Sequence, residues 1–125
     1  MSKPRRDKHY LADITEAIGR IISYTKDLTY EEFLNHTMVQ DAVLRNLQVI
    51  GEATKKVSPS LCNANSDIPW REMAGMRDKI VHEYFGINYR IVWEVAHQDL
   101  PQVLPQLELI LQQLVNGAID LQRTQ

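Results

Sequence analysis

The decapeptide MRDKIVHEYF, residues 76–85, concentrates side chains that could act on a phosphodiester. Arg77 can hold a phosphate through its planar guanidinium and can stabilise the charge that develops there. Histidine titrates near neutral pH, so His82 can transfer protons. Together they could support metal-free cleavage of RNA, in which the 2′-hydroxyl attacks the adjacent phosphorus. One histidine cannot easily be both base and acid in one step, but a symmetric dimer would bring two copies to one cleft.

Helical spacing determines which of these side chains can meet. Arg77 and Tyr84 are seven positions apart and therefore share a helix face. Asp78 and His82 are four apart, so their side chains can meet, and a carboxylate there could hold the imidazole in one tautomer. His82 and Tyr84 would diverge by about 200° on a regular helix, so a shared site requires the helix to loosen or end by Phe85. The same residues would also suit a solvated, salt-bridged face, and spacing alone leaves both interpretations open.

Apolar periodicity predicts the helices that position the decapeptide. The first helix carries a stripe with alternating spacings of three and four, formed by Leu11, Ile14, Ile18, Ile21, Thr25 and Leu28. Thr29 and Glu32 have the spacing of a capping box at the start of a second helix. This helix is expected to run toward Val57, with a break near residues 35–37. Gly51 lies inside it, where glycine is unfavourable, and predicts a close contact between helices.

The second half of the chain contains one predicted loop and several helical segments. Residues 58–69 are rich in Ser, Asn and Pro and are expected to form the loop, with Asp67 capping the next helix. That helix carries the decapeptide and should end near Gly86 in a left-handed conformation. Asn88 is expected to cap another helix, and Pro101 suggests a restart. A long apolar seam follows, formed by Leu100, Leu104, Leu107, Leu111, Leu114, Ala118 and Leu121.

Length and composition favour one globular domain. The chain has 125 residues, of which 44% are apolar and 24% charged, and no segment alternates as a strand would. We therefore predict a single domain, residues 1–125, folded as an all-α compact bundle of four to five helices. The formal net charge of -2 argues against a broad electrostatic nucleic-acid binder, although it allows an enzyme with a small positive cleft.

Other features indicate an intracellular protein without a metal. No apolar run approaches the ~20 residues of a membrane span, and no signal-peptide pattern follows the N-terminus, so we expect a cytoplasmic protein. The single cysteine, Cys62, excludes an internal disulfide and is interpreted as incidental. His9, His36 and His97 lack ligand spacing to carboxylates or cysteine, so neither a metal nor a cofactor is expected.

Three blocks of the sequence resemble one protein family. RDKIVHEYF resembles the Arg-x4-His-x-Tyr signature of the HepT toxins, a branch of the HEPN superfamily. QDAVLRNLQVIGEATKKV is similar to the second block of that family, and IPWREMAGMRDKIVHEYFGINYRIVWEVAHQDLPQVLPQLE to its third. The three blocks occur in order, and the likeness covers about residues 7–115.

The resemblance implies a helical bundle that pairs as a homodimer, with the signature facing a shared cleft. It implies a metal-independent endoribonuclease of tRNA or mRNA that acts as the toxin of a bacterial, type VII-like toxin–antitoxin pair. The implied partner is MntA, a minimal nucleotidyltransferase that neutralises the toxin by transferring AMP to the signature tyrosine. Carried over to this chain, Arg77 and His82 would be catalytic, Asp78 supporting and Tyr84 the AMPylated residue.

Two questions stay open on the sequence. The protein could instead be a non-enzymatic helical binding module that partners a minimal nucleotidyltransferase. The roles of Arg45, Asn46 and Glu52 are also open, because they lie on an otherwise apolar helix. Glu52 could pair with a basic residue of a neighbouring helix and fix the packing, or it could position Arg77.

Overall fold

The computed structural model describes residues 6–123, without the side chains of Tyr84 and of residues 118–123. The elements in chain order are α1 (Asp7–Thr25), α2 (Tyr30–Leu34), α3 (Thr37–Lys55), α4 (Pro59–Ala64), α5 (Trp70–His82), a 3₁₀ turn (Tyr84–Gly86), α6 (Tyr89–Glu94), a π-helical turn (Val95–Asp99) and α7 (Leu100–Arg123). No strand occurs within the described residues. The predicted all-α fold is confirmed.

The long helices α1, α3, α5 and α7 form the bundle. Helix α3 packs against both α1 and α5, and α7 packs against α1. The stripe predicted for α1 is buried over Leu11, Ile14, Ile18, Ile21 and Thr25, whereas Leu28 lies beyond the helix and is half-buried. The buried face of α3 includes Val43, Leu47 and Ile50. Helix α3 is therefore the central support on which α5 and its decapeptide rest.

The predicted break between α2 and α3 is present. Thr29 Oγ1 accepts a hydrogen bond from the Glu32 N–H at 3.1 Å, and Glu32 Oε1 accepts one from the Thr29 N–H at 2.9 Å. This is the predicted capping box. At the other end of α2, Gln40 Nε2 donates to the carbonyl oxygens of Phe33 and Leu34, each at 3.0 Å. These bonds provide a partner for the Leu34 carbonyl at the helix end and add a second one to the Phe33 carbonyl, which also accepts from the His36 N–H at 3.2 Å.

The segment predicted to be a loop, residues 58–69, contains the short helix α4. Ser58 caps it by accepting a hydrogen bond from the Leu61 N–H, and Pro59 occupies the first turn. The prediction that Asp67 caps α5 was wrong, because Pro69 is the residue that precedes that helix and no side chain caps it. A serine followed by proline is itself a helix start, which the polar composition of the segment obscured.

Helices α6 and α7 form one continuous run rather than the predicted restart. Asn88 caps α6 as predicted, since its Oδ1 accepts from the backbone N–H groups of Arg90 and Ile91. Pro101 has no N–H for a regular helical bond, and the Leu100 N–H reaches back five residues to the Val95 carbonyl. A π-helical turn results, and the helix continues without a break.

The apolar seam of α7 is confirmed in its described part. Its residues there are buried (Leu100, Leu107) or half-buried (Leu104, Leu111, Leu114). The side chains of Ala118 and Leu121 lie outside the described residues. Within the part of the chain that the structure describes, no helix has the length and hydropathy needed to span a membrane.

Candidate active site

The crossing of α3 and α5 lies at Gly51 and Arg77. A Cβ placed on Gly51 would lie 2.5 Å from the backbone nitrogen of Arg77 and 2.6 Å from its Cβ. Real Cβ atoms do not approach other atoms this closely, so only glycine permits this separation of the two helices. The close contact predicted from Gly51 is confirmed, and its partner is the arginine of the signature.

Two carboxylates flank the Arg77 guanidinium. Glu52, the neighbour of Gly51 on α3, places its Oε1 3.7 Å from Arg77 Nε. Asp78 Oδ1 accepts a hydrogen bond from Arg77 Nη1 at 3.4 Å. The Arg77 side chain remains 39% exposed. The guanidinium is thus oriented by protein groups and still has donors that can reach a ligand from solvent.

Both interpretations of Glu52 from the sequence involve the same contact, the one with Arg77. We expected either a packing ion pair with a neighbouring helix or a role in positioning Arg77. The predicted ion pair is confirmed, and its basic partner is Arg77 itself. Asn46 is buried and its Nδ2 donates to the Ala42 carbonyl at 2.8 Å, which is a local contact within α3. Arg45 is exposed beside a shallow depression of about 340 Å³.

Asp78 pairs with Lys55 of α3 rather than with His82. Lys55 Nζ donates to Asp78 Oδ1 at 2.6 Å, and no hydrogen bond or ion pair links Asp78 with His82 within the described chain. The Asp78–His82 contact that the spacing allows is therefore not formed. The reason is the α3–α5 crossing, which brings a full ammonium charge to the carboxylate and gives a stronger partner than an imidazole.

The contact with Lys55 also affects the ionisation of Asp78. The hydrogen bond from Lys55 is the main cause that lowers the pKa of the Asp78 carboxyl, and the neighbouring Arg77 acts in the same direction. Burial opposes this shift. Asp78 is consequently a carboxylate at neutral pH and acts as a hydrogen-bond acceptor for both basic side chains.

His82 lies at the C-terminal end of α5 and is exposed. The helix ends there, and the Gly86 N–H bonds to the Glu83 carbonyl in the 3₁₀ turn that follows. The sequence required the helix to loosen between His82 and Phe85 if His82 and Tyr84 were to share a site, and this change of helix type is present. Gly86 does not adopt the predicted left-handed conformation, because no described glycine has a positive φ.

Tyr84 begins the 3₁₀ turn, but its side chain lies outside the described residues. Its position relative to Arg77 therefore stays a prediction. The structure brings Arg77 and Asp78 into one ion-pair network with α3 and places His82 about one and a half turns further along the same helix.

Sequence reasoning missed Lys55. Lys55 lies in the segment GEATK, residues 51–55, together with Gly51 and Glu52, but nothing in this segment indicates which residue of α5 it contacts. Gly51 brings α5 close, Glu52 contacts Arg77 and Lys55 contacts Asp78. The three residues form one face of α3 that matches the signature arginine and its neighbour.

An apolar groove lies along the other side of the α5 end. It has a volume of about 570 Å³ and runs between α5, the 3₁₀ turn and α6, with Met76, Ile80 and Ile91 among its lining residues. Val81 is exposed at the other depression, beside Arg45, and Phe85 is exposed in the 3₁₀ turn. Exposed apolar side chains and an apolar groove at the end of one helix are typical of an interaction surface.

The remaining candidate groups are not part of this site. Within the described residues, no three His, Cys, Asp or Glu side chains are placed to hold a metal ion. Burial raises the pKa of the Cys62 thiol, and the charge of Asp7 raises it further. A raised pKa leaves less thiolate at neutral pH, which makes the cysteine a poor nucleophile.

Comparison with known proteins supplies the family. A protein of Methanocaldococcus jannaschii, provisionally named as an RNase, is 45% identical over 112 residues, which are 89% of this chain and 97% of the relative. A protein of Thermococcus cleftensis named "Probable ribonuclease HepT" is 42% identical over 104 residues, or 83% of this chain and 94% of the relative. A protein of Caldanaerobacter subterraneus, also provisionally named as an RNase, is 40% identical over 103 residues, or 82% and 92%.

No solved structure matches the chain at a significant level. The model of the family described as Ribonuclease HepT-like matches residues 14–110, which include the whole of α3, α5 and the signature. The chain belongs to the HepT-like ribonuclease family.

Proposed function

We propose that this protein is a metal-independent endoribonuclease that acts as the toxin of a HepT/MntA-type toxin–antitoxin pair. One observation carries the proposal most directly. The half-exposed Arg77 is oriented by two carboxylates at a helix crossing, and the exposed His82 ends the same helix. Five residues of α-helix place the two about 7.5 Å apart along the axis and about 140° apart around it, so they would act on one phosphodiester around the helix end at His82 or across two copies of the chain.

In the proposed reaction, Arg77 binds the scissile phosphate and stabilises its developing charge. His82 accepts the proton of the 2′-hydroxyl as that oxygen attacks the phosphorus, and the 5′-oxygen of the next nucleotide leaves. The products are a 2′,3′-cyclic phosphate and a free 5′-hydroxyl. The leaving oxygen needs a proton, and His82 of a second copy would supply it in a homodimer whose two sites face one cleft.

Exposed apolar residues beside His82 support the homodimer. Val81 directly precedes the histidine, and Phe85 lies three residues after it. Both are exposed. Burying these side chains against a second copy would remove apolar area from water and would bring the two α5 ends together.

The proposed antitoxin mechanism follows from the charges at the site. Transfer of AMP to Tyr84 by an MntA-type nucleotidyltransferase would add a bulky nucleotide with a negative phosphate two residues from His82. A phosphate attached there would compete with RNA for the donors of Arg77. The modification would therefore block substrate binding without unfolding the protein.

The first experiment measures cleavage of tRNA and mRNA substrates by the purified, unmodified protein in the presence of EDTA. We expect cleavage that leaves 2′,3′-cyclic phosphate ends and that falls at least 100-fold in Arg77→Ala and His82→Ala. Glu108→Ala, an exposed change on α7, serves as a control prepared in parallel. Equal cleavage by wild type and both site variants would mean that these residues do not catalyse the reaction.

The second experiment measures the intact mass of the protein made with and without the neighbouring nucleotidyltransferase. We expect added mass in multiples of AMP only after co-expression, located on Tyr84 by peptide sequencing and absent from Tyr84→Phe. An unmodified tyrosine in both samples would contradict the proposed mode of neutralisation and would favour inhibition by simple binding.

The alternative function is a non-enzymatic module that binds a minimal nucleotidyltransferase. The net charge of -2 and the two carboxylates beside Arg77 favour it, because both weaken attraction of RNA. Under this alternative, purified protein would lack RNase activity even at high concentration while it binds its partner tightly.

A further inference from the structure

Asp78 Oδ1 is shared by two cations at the helix crossing. Lys55 Nζ lies 2.6 Å from this oxygen, and Arg77 Nη1 lies 3.4 Å from the same atom. The first distance is that of a short, charge-assisted hydrogen bond, and the second is near the limit of a hydrogen bond. Asp78 therefore interacts mainly with Lys55, although Arg77 is its neighbour in sequence.

The preference of Asp78 for Lys55 matters because Arg77 already has an acidic neighbour. Glu52 Oε1 lies 3.7 Å from Arg77 Nε. Asp78 Oδ1 already makes a long contact with Arg77 Nη1 at 3.4 Å, and without Lys55 this contact would shorten, so that the guanidinium would be held by close carboxylates at both Nε and Nη1. A guanidinium that is paired with two carboxylates has fewer N–H donors left for a phosphate group. Its positive potential is also weaker, so it attracts the phosphate less.

We infer that Lys55 is a positioning residue for Arg77, which draws the shared Asp78 carboxylate toward itself and keeps its contact with the guanidinium long, so that Arg77 can bind the phosphodiester of RNA. The inference rests on the proposed ribonuclease function. It differs from a direct role of Lys55, in which the ammonium itself would bind the substrate phosphate. The two roles are separable because the positioning role operates only through the Asp78 carboxylate.

The test compares the effect of Lys55→Met on kcat/KM for RNA cleavage in the wild type and in an Asp78→Asn background. In the wild type we expect about a fivefold loss, the size that an exposed ion pair can account for. In the Asp78→Asn background we expect Lys55→Met to have no further effect, because position 78 then has no carboxylate that could move closer to Arg77 Nη1. Lys55→Arg, which keeps a cation on α3, should restore activity to within about twofold.

Lys56→Met is the matched control, because it removes the same charge from the next residue, whose side chain is exposed. We expect its kcat/KM to equal that of the wild type, and thermal unfolding should confirm that all variants are folded. A Lys55→Met loss of equal size in both backgrounds, or no loss in the wild type, would overturn the inference and leave the ribonuclease function standing. A wild-type protein without RNase activity would overturn the proposed function and this inference together.

Discussion

Among single residues, Gly51 determines how closely α5 approaches α3 and hence where Arg77 lies. The atoms that a new Cβ would meet belong to the Arg77 backbone and Cβ, so no side-chain rotation can relieve the clash. We expect Gly51→Ala to push the helices apart, at a cost of about 1–3 kcal/mol in the free energy of unfolding. The better helix propensity of alanine, about 1 kcal/mol, offsets part of this cost.

The same displacement should affect function more than stability. A shift of about 1 Å can lower the rate of an enzyme about 100-fold, so we expect kcat/KM of Gly51→Ala to fall at least tenfold. Gly19→Ala is the control, because Gly19 lies inside α1 and a Cβ there has no neighbour within 4 Å. It should stabilise the protein slightly and leave cleavage unchanged. Equal behaviour of the two variants in urea unfolding and in RNA cleavage would contradict the role given to Gly51.

Between elements, Gln40 fixes the short helix α2 to α3. Its side chain is buried and its Nε2 donates to two carbonyls at the end of α2. Gln40→Met has a similar volume but no donor, so both carbonyls would lose the hydrogen bond from Gln40, and only the Phe33 carbonyl would keep a backbone partner, the His36 N–H. We expect the free energy of unfolding to fall by about 1–3 kcal/mol, measured by urea unfolding.

The matched control for this element is Gln106→Met, since Gln106 is exposed on α7. A surface change of this kind should alter the free energy of unfolding by less than about 0.5 kcal/mol. If both glutamine variants lost the same stability, the contribution of the Gln40 hydrogen bonds would be refuted.

Local patterns predicted those elements whose signals lie within one helical turn. The α1 stripe, the Thr29 capping box and the Asn88 cap depend on neighbouring residues, and all three are present. The loop prediction failed at α4, whose cap Ser58 also donates through its backbone N–H to Asp7, 51 positions earlier. The serine followed by proline is a local start signal for α4, but the contact with Asp7 depends on how α1 and α3 pack and has no local signal.

At the site, too, the sequence predicted the features that have a local signal and missed the contacts between residues far apart in the chain. Glycine inside a helix predicted a close approach, and the signature supplied the chemical groups. The Lys55–Asp78 contact was not predictable from spacing, because 23 positions separate the two residues and their pairing depends on the α3–α5 crossing. The helical spacing instead suggested a contact between Asp78 and His82, which lie four positions apart, and this contact is not formed.

At the scale of the whole molecule, the proposed mechanism requires two copies of His82 at one cleft. We expect Val81→Asp and Phe85→Asp to weaken the homodimer, because each change would place a charge in the proposed apolar interface and symmetry would bring two such charges together. Sedimentation measurements at matched concentrations should then show monomers, and kcat/KM for RNA cleavage should fall at least 100-fold, since one copy lacks the second proton-transfer group.

Met38→Asp separates this effect from a general response to a surface charge. Met38 is an exposed apolar residue, 80% accessible, in the first turn of α3 rather than beside His82. Its variant should remain dimeric and active. Monomers of Val81→Asp or Phe85→Asp that cleave RNA as fast as the wild type would refute the two-histidine mechanism, because a single copy would then supply both proton transfers. Dimers that persist in both variants would instead show that the chains pair through a different face.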